Sequence, residues 1–146
     1  MLPYSFLDED HFQGGSNLDR LYVEPMRDYI TWPLRMPFEK HLIYHGKQTL
    51  QGEEYFTFFL SSSSPADRKG DQYRLYLSTD NLRIRFIQFT LRELADSYSG
   101  WIHYSNYVSI EGIRIPFQIS IQDSPSLDSD EYVHRIELQD AVFSRE

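Results

Sequence analysis

The stretch from Trp101 to Ile121 constrains the fold more than any other part of the chain. Ile113, Ile115, Phe117, Ile119 and Ile121 alternate with Arg114, Pro116, Gln118, Ser120 and Gln122. A period of two puts the apolar set on one face of an extended strand. Trp101 to Ile110 is a second strand-like run, and Glu111-Gly112 lies between the two. Glycine accepts the positive φ of a tight hairpin turn. The pair therefore reads as an antiparallel hairpin. Pro116 has no N–H to offer a ladder, so its strand has an edge or a local break there.

Similar runs fill the chain from Lys40 onward. His41 to His45 is followed by a first break at Gly46 and a second at Gly52. Tyr55-Phe56-Thr57-Phe58-Phe59-Leu60 is almost continuously apolar or aromatic, the mark of a strand covered on both faces. Tyr73 to Leu77 alternates, and Ser78-Thr79-Asp80-Asn81 supplies turn chemistry. Leu82, Ile84 and Phe86 share one parity; Ile87, Phe89 and Leu91 share the other. Such a switch needs an inserted residue near Phe86 or Ile87, or a strand buried on both sides. Tyr132, His134, Ile136 and Leu138 form a last strand that extends toward Phe143. Ser61 to Asp71 and Asp123 to Asp130 are polar loops.

Residues 1–38 read differently. Gly14-Gly15-Ser16-Asn17 is a loop, and Asn17 can cap a short helix through Leu18, Leu21 and Tyr22. Pro25 stops or restarts a helix, Met26 to Ile30 adds a turn or two, and Trp32-Pro33 and Met36-Pro37 impose extended or turn geometry. The expectation is one domain over 1–146. It has an irregular or briefly helical segment at 1–38 and a mainly β, antiparallel sheet over 39–146. No βαβ pattern supports a parallel sheet.

The chain has 146 residues, enough to bury roughly 68–70% of the unfolded surface without covalent staples. Its net charge of -8 opposes nucleic-acid and anionic-membrane binding. No apolar run approaches the ~20 residues of a membrane span. The first residues lack the basic leader and apolar stretch of a signal peptide. With no cysteine, disulfides, thiolate metal sites and cysteine nucleophiles are excluded.

Catalytic and metal motifs are missing. His41 and His45 have the i,i+4 spacing of a helical metal pair. On a strand that spacing is about 13 Å, too long for one ion. His103 and His134 fall on strand positions with ordinary structural roles. Asp8-Glu9-Asp10 and Asp128 to Glu131 lack the ligand spacing of a calcium loop and read as solvated charge. No G-x-S-x-G, S-x-x-K or phosphate-cradling glycine pattern occurs. The reading is non-enzymatic, with no cofactor. One reservation is a pair of carboxylates brought within about 5–10 Å by the fold.

Aromatic residues supply the positive signal. Phe, Tyr and Trp make 16% of the chain, an enrichment that favours strands over helices and also suits an apolar pocket. Phe58, Phe86, Phe89, Trp101, Tyr104 and Phe117 are candidates to line an apolar cavity on a sheet curved by bulges. Each is also an ordinary core residue.

Four ordered segments carry a family resemblance over about Tyr29 to Phe143. They are Tyr29-Ile30-Thr31-Trp32-Pro33; Gly46 to Leu50 with Gly52-Glu53-Glu54-Tyr55; Asp71 to Ser78; and Tyr104-Ser105-Asn106-Tyr107 with Glu111-Gly112-Ile113-Arg114-Ile115-Pro116. The last is the most specific. Together they resemble the C-terminal part of an uncharacterised bacterial family similar to the outer-membrane lipoprotein-sorting proteins, the lipoprotein carrier and its receptor. The resemblance implies a curved antiparallel half-barrel around a helix or apolar cleft. Carrier members hold acyl chains there. It also implies a periplasmic or envelope location, given a signal sequence that this chain lacks; family members are longer at the N-terminus, with additional strands.

Two expectations follow. One is a binding protein for a lipid or other apolar ligand, seated on the concave face. The alternative is a structural or protein-interaction module that offers an unpaired sheet edge to a partner.

Overall fold

A computed structural model describes residues 24–39, 41–61, 71–90, 99–122, 127 and 132–142. The expected helix at Asn17 to Tyr22, the acidic runs and most of the two polar loops lie outside these residues. Among the described residues, seven strands follow one helix: α1 (Glu24–Arg35), a 3-10 turn (Met36–Phe38), β1 (Ile43–Leu50), β2 (Glu53–Ser61), β3 (Gln72–Ser78), β4 (Ile84–Thr90), β5 (Ser99–Ile110), β6 (Ile113–Gln122) and β7 (His134–Glu137). The strands lie in sequence order in one sheet, with every neighbouring pair antiparallel. The sheet is open and curved. β1 and β7 are its outer strands.

Local chemistry accounts for the joints. Gln51 and Gly52 between β1 and β2, and Glu111 and Gly112 between β5 and β6, all have positive φ. Two such residues in succession make the turn whose twist matches the flanking strands. β6 pairs with β7 only from Gln118 to Ile121. Pro116 lies beyond that pairing, opposite Tyr107 of β5, so the expected local edge is present. β7 is shorter than the alternation suggested and ends before Leu138.

The parity switch in β4 has a definite source. Tyr76 pairs with Phe86 and Leu77 with Ile84, leaving Arg85 as the extra residue. Ile84, Ile87 and Phe89 then face α1, while Phe86 faces the other side. The bulge and the two-sided burial are both real. Gly46 differs from the expectation of a break. It sits inside β1 at φ 86°, where the register with β2 shifts between Tyr44 and Lys47. It is a bulge. The buried Thr57 hydroxyl donates to its carbonyl at 2.9 Å and pins it.

The helix is the main correction. Trp32-Pro33 was expected to end helical structure, yet α1 runs through Pro33 to Arg35. Pro25 occupies the second helical position, where a missing N–H costs little. Pro33 is harder to place, since it withholds the N–H that would bond the Tyr29 carbonyl four residues back. The Tyr104 hydroxyl of β5 donates to that carbonyl at 2.5 Å instead. A tertiary bond from the sheet thus replaces the helical one.

Two clusters sandwich the sheet. The larger joins Tyr29, Trp32 and Met36 of α1 and its 3-10 turn to Leu60, Leu75, Ile84, Ile87, Phe89, Ile102, Tyr104, Ile119 and Ile121. The smaller, on the face away from α1, joins Tyr55, Tyr76, Phe86 and Trp101, with Leu50 and Leu127 packed against it. The rings of Tyr55 and Phe86 meet edge-on at 5.8 Å, and those of Tyr76 and Trp101 tilt together at 5.4 Å. Aromatic pairs of this type are worth about 0.5–1.5 kcal/mol beyond their buried area.

Candidate functional site

Strand register decides where the six aromatic candidates go. Phe89 and Tyr104 are fully buried beneath α1, and Phe58 packs half-buried against the same cluster. Phe86 and Trp101 lie on the opposite face. Phe117 is half-buried on β6. The sheet therefore separates them. Among the six, Phe86 alone lines the groove described next.

That groove lies on the face away from α1 and has a volume of about 280 Å³. Its apolar wall is Phe86 and Leu127; its polar wall includes His103, Gln118, Ser120, Gln122 and Arg135, with Tyr132 and Gln51 at the sides. Register assembles the polar wall. His103 of β5 is opposite Ser120 of β6, and Ser120 is opposite Arg135 of β7. Directly opposed side chains in an antiparallel ladder stand about 4.5–5.5 Å apart at Cβ. Three strands thus present an imidazole, a hydroxyl and a guanidinium in one row. In the sequence Ser120 stands on the polar phase of its strand and His103 carries an ordinary structural role, and nothing links them to Arg135. Only the pairing reveals the row.

His103 is the unusual member. Its ring stacks on Phe86 at 4.7 Å and 17°. Its Nε2 is buried and has no hydrogen-bond partner among the described residues. Burial, and secondarily the nearby Arg85 charge, hold its pKa below the ordinary 6.5. The ring is therefore neutral at physiological pH. A depressed folded-state pKa means that the unfolded chain takes up a proton first as pH falls through about 6.5. Stability is full above that value and declines below it, until the folded pKa is passed. In urea denaturation from pH 7.5 downward, His103→Gln is expected to lose part of this decline. An unchanged slope in the variant would show that His103 does not contribute.

Other ionisable groups surround this face. Tyr55 is pushed up to about 12 by burial, then by its hydrogen bond to Glu53 at 3.0 Å. Arg135 pairs with Glu137 at 3.1 Å and donates to the Tyr132 hydroxyl at 3.1 Å. Arg74 Nε, on the same face, is buried without a hydrogen-bond partner among the described residues.

A second crevice of about 330 Å³ follows the seam between α1 and the sheet, lined by Trp32, Met36, Leu60 and Tyr73, with Asp28, Arg35, Glu39 and His41 at its rim. Its walls are the margins of the main core, and the Asp28–Arg35 ion pair at 2.9 Å lies at its mouth. Among the described residues no cluster of three or more His, Cys, Asp or Glu side chains could hold a metal. Among them, too, no helix is long and apolar enough to cross a membrane. Comparisons with protein-family models, curated proteins and solved structures found no match.

Proposed function

We propose that this protein is a non-enzymatic binding module that takes a small amphipathic molecule in the groove on the face away from α1. The supporting observation is the groove itself, with Phe86 and Leu127 on one wall and polar groups from three strands on the other. Binding pockets commonly combine an apolar surface with a few convergent polar groups. The volume of about 280 Å³ is at the low end of the roughly 300–1,000 Å³ typical of ligand sites. It suits one short chain or ring better than a two-chain lipid. The resemblance to lipoprotein-sorting proteins points toward an apolar ligand as well, although the face beneath α1 is filled by Tyr29, Trp32 and Phe89.

Native mass spectrometry of the purified protein, followed by denaturation and extraction, tests this reading. The expected result is a small released amphiphile from the unmodified protein and an empty Ser120→Trp variant, whose added ring fills the groove. Equal occupancy in both would overturn the assignment to this groove.

A second reading has one observation in its favour. β1 is an eight-residue outer strand with Ile43 and Tyr44 more than half exposed, a surface suited to strand addition. The Gly46 bulge and Lys47 on the same strand work against it, since bulges and lysines are common guards of exposed edges. A monomer mass independent of concentration would exclude self-pairing along this edge.

A further inference from the structure

We propose that the row His103–Ser120–Arg135 is a subsite for a single carboxylate, which makes the ligand of the groove opposite α1 a small monocarboxylate with an apolar body. The inference rests on the binding reading above and specifies its chemistry.

The row is built of donors. Arg135 spends Nε on Glu137 and Nη1 on Tyr132; Nη2 carries two further N–H groups. The Ser120 hydroxyl stands between the imidazole and the guanidinium by register. His103 Nε2 is buried and has no partner among the described residues. A buried polar atom of this kind is costly until a partner arrives, and in its Nε2–H tautomer it donates like the other two. The two oxygens of a carboxylate together offer about four acceptor sites, enough for all three donors, and no competing proton. Stacking on Phe86 fixes the ring so that this donor needs little reordering on binding.

Charge sets the valence. Among the described residues that line the groove, Arg135 is the one formal cation, and Glu137 already neutralises part of it. In a chain of net charge -8, a dianion would be repelled more than a monoanion. The remainder of the ligand would rest on Phe86 and Leu127, the apolar wall.

Paired NMR titrations of the full chain with octanoate and with 1-octanol test the proposal, since the two probes share a chain and differ in the head group. Octanoate is expected to shift groove amides and to bind about tenfold more tightly than octanol, as hydrogen bonds to a charged group imply. Arg135→Gln should remove that preference. Arg114→Gln, an exposed charge change elsewhere on β6, should leave it intact, which separates the subsite from a general loss of positive charge. Equal binding of both probes in the groove, unaltered by Arg135→Gln, would overturn the carboxylate subsite and leave the binding reading standing. Absence of groove shifts with either probe would overturn both.

Discussion

Phe89→Ala is expected to destabilise the protein by about 3–5 kcal/mol, the usual cost of emptying a fully buried aromatic site. Phe89 is wholly inaccessible and sits where helix meets sheet. Its ring lies 5.4 Å from that of Tyr29 and 6.0 Å from that of Trp32. Removing it leaves both helical aromatics facing a void, because the strands around it are held by their ladders and cannot collapse inward. Domains of this size have about 5–15 kcal/mol in total, so one substitution takes a large share. Urea denaturation measures it as a lower midpoint at an unchanged slope. A loss under about 1 kcal/mol would mean that α1 does not pack there.

The strand opposite Phe89 gives the complementary test. Gly100 pairs with Phe89 across β4 and β5. A Cβ at Gly100 would stand 2.6 Å from the Gln122 backbone oxygen and 2.8 Å from the Phe89 ring. Overpacking of this kind costs about 1–3 kcal/mol. Trimming Phe89 in the Gly100→Ala background would not restore stability, because the nearer obstacle is main chain and cannot rotate away.

These sites also show how far the sequence could be read. The alternation of Ile113 to Ile121 identifies β6 because a period of two has one structural meaning. The change of parity after Phe86 signals a bulge for the same reason, and the structure puts the inserted residue at Arg85. Neither observation tells which face is which. Phe86 and Phe89 are three positions apart in one strand, and the bulge fixes how the strand is presented before either residue. With the bulge at Arg85, before both, plain alternation separates them, and which of the two lies beneath α1 is decided by the packing of the helix. Gly46 shows another gap: a glycine that permits positive φ signals a turn and a bulge alike, and the pairing of β1 with β2 decides. The groove was least legible. His103, Ser120 and Arg135 come from three strands, and each alone is an ordinary polar residue on a half-buried surface.

The helix through Pro33 was misread because a local rule met a distant compensation, and that leads to the second expected result. Tyr104→Phe should cost about 1–3 kcal/mol, the penalty for leaving a buried acceptor unsatisfied, although only one oxygen atom is lost. Tyr104 is fully buried, and its hydroxyl is bonded to the Tyr29 carbonyl. That carbonyl depends on it because Pro33 has no N–H to give. Pro33→Ala supplies the missing donor within the helix. In that background, Tyr104→Phe should be milder by about 1 kcal/mol, a coupling that a double-mutant cycle resolves. The coupling is the decisive quantity. If Tyr104 stabilised the protein only by filling space, Phe would fill it equally well in both backgrounds and the two costs would match. Unequal costs mean that β5 completes the helix, which explains why a proline can stand near its end without stopping it.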